Sequence, residues 1–361
     1  MTIYWVVYFA VLLLFIQEAK YTRITFVPLF QIHTRKFSFV IIFFALMSIG
    51  ILRHEHLGTD TYSYLDHYFI PMFNKNFFQA LMSDSDFGYA LVNWFVTRFT
   101  KDYWIFRAIV FAVSFSSISV WIYKYSKIVS LSYLCFLSFG YLEMEFYLLR
   151  LSLAVSIFIW SYRPLIERKF VKYCTLVLIA AAFHKSALFM LIVYPLLSKR
   201  FRSLSRLMRI AFLAGAVVIS RVGGYYITLF YKRKNYADEM NSNNGYRMLF
   251  FILVLLIVIL LYEQRNNRLF RYRTRGLMLS MLYPQILATS VSIVSRILKY
   301  SETYLFILLP DVLRSNALRK TEKETFSVII TCILTAFYAY SILSGNKFDY
   351  YTHFTKVVHF S

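Results

Sequence analysis

Apolar runs of about 11–20 residues recur along the chain, and short basic loops separate them. A sequence with that pattern has few folds open to it. Crossing the hydrocarbon of a bilayer takes about 20 helical residues. Inside it each segment satisfies its own backbone hydrogen bonds, so the expected element is the α-helix. Shorter runs gain reach from flanking Tyr, Trp, Lys and Arg that extend to the interface. Hydrophobic residues make up 59% of the 361, against roughly 45–50% in soluble domains.

Spans are expected at residues 3–16, 37–52, 104–123, 128–142, 145–162, 170–183, 186–197, 210–230, 247–261, 277–294, 303–313 and 326–343. The fold class is all-α, a polytopic integral membrane protein with about 12 transmembrane helices in one membrane domain over residues 1–361. The run 3–16 lacks a basic leader and a small-residue cleavage site, so it reads as the first helix and not a cleaved signal. Residues 88–99 are apolar but short, and crossing there would break the alternation. They read as re-entrant or interfacial.

The net charge of +22 and the pI near 9.8 raise the question of a nucleic-acid partner. Six loops answer it, because they hold 24 of the 40 basic residues and only six of the 18 acidic ones. Cytoplasmic loops of membrane proteins collect Lys and Arg in this way, so the bilayer is the partner and no nucleic acid is needed. Placing those loops inside leaves both termini outside, with outer loops at about 53–103 and 221–246. Cys135, Cys174 and Cys332 sit far apart inside apolar runs and read as small buried hydrophobes.

Polar residues gather toward the outer side of this topology. Arg150 interrupts the run 146–160, where a charge costs a few kcal/mol. At 1.5 Å per residue it lies about 8 Å below the outer helix end. It is either a snorkelling or ion-paired arginine, with Glu143 or Glu145 as partner, or a fixed positive charge facing an outward cavity. His184, Lys185 and Ser186 form a turn on the same side, and an imidazole there can accept a proton. The outer loop carries Arg53, His54, His56, Asp60, Tyr62 and Tyr64, with Gly58 permitting a tight turn that presents Asp60. Asp86 adds a second carboxylate. His54 and His56 alone define no metal site, and no cofactor is expected. Arg296 and Lys299 supply two phosphate-capable charges. The segment 231–236 places three bases on the outer side against the charge rule: either the topology differs there, or these bases serve an anionic ligand.

The stretch Tyr147 to Ala154 around Arg150, the basic turn Ile166 to Phe170 and Ala181-Ala-Phe-His184-Lys-Ser-Ala187 resemble the EpsG-type exopolysaccharide polymerases. These are related to the Wzy polymerases of O-antigen and capsule. Gly58 to Tyr64 and Asp86 to Tyr89 are similar to the family's outer-loop elements, and the resemblance runs from about Arg53 to Pro195. The chain has Tyr147 and Leu151 where the family usually has Asn and Gln. The resemblance implies a GT-C-like glycosyltransferase in the bacterial inner membrane with its active site facing the periplasm. Its donor and acceptor would be undecaprenyl-diphosphate-linked oligosaccharides, with a chain-length regulator as a further candidate partner.

The chemistry of such a transfer suits these residues. A lipid diphosphate leaving group needs fixed cations, Arg150 first, then Lys185, Arg296 and Lys299. The acceptor hydroxyl needs a base, either Asp60 or His184. Asp60 has the edge here, since a carboxylate can also hold paired sugar hydroxyls. Arg53, Tyr62, Tyr64, Asp86, Glu145 and Ser186 complete the expected sugar and diphosphate contacts. A lipid-linked oligosaccharide flippase, an O-antigen ligase or a membrane O-acetyltransferase are the alternatives. A flippase is expected to carry midplane charges and internal repeats, and neither is evident.

Overall fold

The computed structural model describes residues 2–20, 23–27, 30–54, 61–84, 86–197, 208, 215, 218, 252–259, 277–278, 281, 295–315 and 318–343. Most of the expected spans 210–230 and 277–294, the ends of 247–261, and all of the loop 221–246 with its bases at 232–234, lie outside these residues. So does Asp60.

Helix α1 (Thr2–Lys20) leads through an antiparallel hairpin, β1 (Arg23–Val27) and β2 (Phe30–His33), into α2 (Thr34–Leu52). Arg23 pairs with His33 and Thr25 with Gln31, with a register shift before Val27. Apart from this one ribbon the described elements are helical, as expected of an all-α membrane chain. The ribbon joins two spans at the loop level, where strand edges meet water instead of hydrocarbon. The long loop after α2 then folds into short helices α3 (Thr61–Tyr64) and α4 (Phe77–Leu81), with a π turn and a 3-10 turn between them. Next come α5 (Phe87–Val96) and the long α6 (Tyr103–Tyr125). At ten residues α5 is about 15 Å long, too short to cross a bilayer, and it packs on α11 (Phe170–Phe183).

The sequence suggested one helix over 128–142 and another from Glu145. Instead the chain forms α7 (Val129–Ser138), α8 (Tyr141–Tyr147) and α9 (Leu149–Phe158). Two backbone features make the breaks. Gly140 adopts the left-handed conformation (φ 67°, ψ 35°) that ends α7, and Leu148 (φ −110°, ψ 57°) separates α8 from α9. A glycine is the residue that takes such a left-handed position without steric cost. Beyond α9, α10 (Tyr162–Ile166) leads to α11, a 3-10 segment Lys185–Ile192 and α12 (Val193–Leu196). The last described elements are α13 (Ser295–Glu302), α14 (Leu305–Leu313) and α15 (Lys320–Leu343). Five helical stretches among the described residues are long and apolar enough to cross a membrane: Ile3–Lys20, Thr34–Leu52, Tyr103–Tyr125, Leu149–Ile166 and Lys320–Leu343.

Side-chain contacts sort the bundle into two ends. At one, Arg35 donates to the Tyr123 carbonyl, Lys127 pairs with Asp311 at 3.3 Å, and Arg314 donates to the Glu18 carbonyl at 2.9 Å. At the other, Trp104 bonds the Ile51 carbonyl and Arg107 the Arg53 carbonyl. The loop bases Lys124, Lys127 and Arg314 share the first end, as their ring contact, ion pair and hydrogen bond show.

All ten residues of α7 are buried, and it packs on α1, α2, α14 and α15. Its first amides find no water there. Glu18 accepts from the amides of Val129 (2.9 Å) and Ser130 (3.0 Å) and from the Ser130 hydroxyl (2.6 Å). At the other end the Lys299 ammonium bonds the Phe139 carbonyl. Carboxylate at the N-terminus and ammonium at the C-terminus both match the helix dipole. Glu18→Ala should cost about 1–3 kcal/mol by stranding buried amides, and Glu18→Gln less, since its carbonyl still accepts. Thermal unfolding of the purified variants in detergent reads this. Equal midpoints for Glu18→Ala and the unaltered protein would remove the capping role.

Candidate active site

Asp86 occupies the N-terminal boundary of α5, where an Asp commonly caps the helix. Here its side chain makes no capping bond and turns to other partners. Asp86 Oδ2 lies 3.0 Å from Arg150 Nη1 and 3.7 Å from His184 Nδ1. Asp84 reaches the other arm of the guanidinium, Oδ2 to Nη2 at 3.0 Å, and its Oδ1 accepts the Asp86 amide at 3.2 Å. The arginine therefore has ion-pair partners, but they are Asp84 and Asp86 and not Glu143 or Glu145. A planar fork held by two carboxylates is the geometry that arginine, unlike lysine, supplies.

Three tyrosines complete the cage. The guanidinium carbon stands 3.8 Å from the Tyr68 ring centre, 5.3 Å from Tyr89 and 5.9 Å from Tyr64. Those rings contact one another at 5.6–6.0 Å. Cation–π contact of this kind adds to the pairing most where water is excluded.

Local chain geometry brings the parts together. The break at Leu148 sets Arg150 in the first turn of α9, on the wall of the cavity. His184 is where α11 ends: its backbone is extended, its amide closes the last turn on Ala180, and a 3-10 turn follows. Gly88 lets α5 approach that end closely. A Cβ there would fall 2.9 Å from the Ala182 carbonyl oxygen and 3.1 Å from the Phe183 ring, so a larger residue would push Asp86 away from His184.

Ser63, Tyr64, Tyr68, Asp86, Arg150, His184 and Arg296, with Leu148 and Leu151, line a polar cavity of about 280 Å3. Burial alone would raise the Asp86 carboxyl, but neighbouring His184 and Arg150 outweigh it and hold it below the ordinary carboxylate range. It is an anion at neutral pH. Arg150 uses one hydrogen on each terminal nitrogen for Asp84 and Asp86, and a guanidinium carries five donors.

The other sequence candidates lie elsewhere. Arg53 is buried with its guanidinium 4.6 Å from the Phe146 ring centre. Glu143 and Glu145 form no turn. They lie buried in α8, where the Ser114 hydroxyl donates to Glu145. Lys299 caps α7, sits 4.9 Å from the Tyr141 ring centre and lies 3.7 Å from Glu302. Ser186 is 3.2 Å from the Tyr300 hydroxyl, while Lys185 and Tyr62 are exposed. Asp84, Ser63, Tyr68 and Tyr89 were not singled out from the sequence. The spacing Asp84-x-Asp86 beside an apolar run was the available signal for Asp84.

A family model described as the EpsG family matches residues 36–355. No curated protein and no solved structure matches the chain.

Arg150 and the two aspartates are all largely buried, with side chains 15%, 12% and 7% exposed. Arg150→Met would leave both carboxylates without their cation and should cost about 3–5 kcal/mol. Combining it with Asp84→Leu and Asp86→Leu should recover most of that loss. Detergent-solubilised thermal unfolding compares the two variants, and equal destabilisation would show that the charges are not coupled.

Proposed function

The chain belongs to the EpsG family, whose members are exopolysaccharide polymerase-like membrane proteins, and on that premise we propose that it polymerises lipid-linked glycan repeats. One carboxylate oxygen carries the reading. Asp86 Oδ2 touches both Arg150 and His184 on the wall of one polar cavity.

A base oriented by a carboxylate, beside cations for the leaving group, suits glycosyl transfer from a diphosphate. Asp86 Oδ2 lies 3.7 Å from His184 Nδ1, longer than a hydrogen bond; closing that gap when substrate binds would favour the tautomer protonated on Nδ1 and leave Nε2 as the proton acceptor. A sugar hydroxyl of the lipid-linked repeat gives its proton to Nε2 as its oxygen attacks the anomeric carbon of the growing chain. The bond from that carbon to the diphosphate breaks, and undecaprenyl diphosphate leaves with the electron pair. Arg296 and the remaining Arg150 donors receive the developing charge. Asp84 and Tyr68 keep Arg150 in register.

His184 is taken as the base on its placement beside Asp86 in the cavity that Arg150 also lines, and Asp60, outside the described residues, stays the alternative base. The reaction side is taken as the outer, periplasmic face of the inner membrane, since the loop bases mark the opposite end as cytoplasmic. A GT-C-like frame and a chain-length regulator as partner belong to the same reading.

Deleting the gene should collapse the glycan ladder on a gel to a single repeat. An intact ladder would reject a polymerase, and loss of every repeat would favour a flippase or ligase. With purified protein and a diphosphate-linked repeat, His184→Ala should slow chain extension by about 10²–10⁴-fold while substrate still binds. Extension within about tenfold of the unaltered rate would rule His184 out as base. Arg150→Lys should also lose most activity, because a point charge cannot replace the fork. An impermeant thiol reagent should label Tyr62→Cys from the periplasm and leave Lys169→Cys unlabelled, in a background without native thiols. The reverse pattern would put the site on the cytoplasmic side.

A further inference from the structure

A second, larger cavity lies against the first. It encloses about 1030 Å3 between α5, α6, α9 and α11, and its lining is almost wholly apolar, with Phe87, Val113, Leu153, Leu178 and Phe183 among the residues. Ser117, Ser156 and Thr175 also line it, but their hydroxyls are already engaged. Ser117 donates to the Ser156 carbonyl and receives the Trp160 indole, Ser156 bonds the Leu153 carbonyl, and Thr175 the Val171 carbonyl. Those hydroxyls have no hydrogen left to offer, so the groove is suited to hydrocarbon.

Its position is specific. Phe87 follows Asp86 in sequence, Phe183 precedes His184, and Leu153 lies one turn beyond Arg150, so the apolar groove begins where the polar cavity ends. From Phe183 to Thr175 along α11 it runs for about 12 Å, less than half the ~30 Å of hydrocarbon. Val113 and Leu178 are more than half exposed, so the groove opens sideways toward lipid.

We propose that this groove holds the head-proximal part of the polyprenyl tail of the diphosphate carrier. The inference rests on the polymerase reading for its headgroup. Bulk phospholipid can wet any outer face, but only a lipid whose headgroup binds the Arg150 and Arg296 cavity is tied to this mouth. The remainder of the tail leaves through the lateral opening. The groove thus fixes the depth and direction of the carrier, and with them the position of the bond to be broken.

Photocrosslinking tests this on the full chain in vesicles of phosphatidylethanolamine and phosphatidylglycerol. Benzoylphenylalanine is placed at Leu178 or, as a control, at the lipid-facing Phe44 of α2, 62% exposed. The probe is a radiolabelled long-chain polyprenyl diphosphate without sugar. Capture at Leu178 should exceed capture at Phe44 by about tenfold, equivalent to about 1.4 kcal/mol of preference. Val113→Trp should reduce it. Equal capture at the two positions would overturn the groove as a carrier site. Repeat polymerisation is assayed on the same preparations. Polymerisation with equal capture removes the groove and keeps the polymerase. Preferential capture without polymerisation by the unaltered chain keeps the groove and removes the polymerase.

Discussion

The capped burial of α7 is the constraint on which the rest of the described structure depends. Ten residues cannot reach across a bilayer, and hydrocarbon supplies no donors or acceptors to the helix ends. Glu18 and Lys299 therefore come from remote helices to serve as its caps. The first ties α1 to the start of α7. The second ties α13 to its end, where Tyr141 also donates to the Lys299 carbonyl. With both ends fixed, the left-handed Gly140 and the bend at Leu148 follow within ten residues, and Arg150 enters at a defined angle. Core structure thus sets the direction of a charged side chain near the surface.

Around Arg150 the energetics change character. A guanidinium taken out of water repays its desolvation only if both faces and both arms find partners. Asp84 and Asp86 take the arms, and Tyr68 takes a face. This arrangement anchors the long loop after α2, including α3, together with α5 to the apolar helix α9. Asp86 then has one oxygen facing two basic side chains, the Arg150 guanidinium and the His184 ring. The ion pair and the candidate site share Arg150 and Asp86, so the contacts that hold the loop also hold the site's charged groups in place.

The two cavities meet at the line between polar and apolar helix surface. Gly88 permits the close approach of α5 and α11 at that line, so that Asp86 and His184 face one way and Phe87 and Phe183 the other. An amphiphilic substrate with a charged head and a hydrocarbon tail matches this division.

The sequence by itself determined the membrane class and the grouping of basic loops, and it offered Arg150, His184, Asp86, Tyr64 and Arg296 as candidates that the fold brings to one cavity. Hydropathy, charge asymmetry and a charge interrupting an apolar run account for the class, the loops and Arg150, while His184, Asp86 and Tyr64 came from turns and from the resemblance. It could not determine which carboxylates would answer Arg150. Glu143 and Glu145 are near in sequence but fall in α8, against Ser114 in the case of Glu145, while Asp84 and Asp86 arrive from a loop over sixty residues away. Nor could it separate Lys299, engaged at the end of α7, from Arg296 three residues earlier, which reaches the cavity. The hairpin after α1 and the breaks at Gly140 and Leu148 were also beyond it. Hydropathy records how much of a segment is apolar, not the angle at which the segment turns. Those choices were made by tertiary structure, because in a dry interior each buried charge and each helix end takes whichever partner the packing brings within reach.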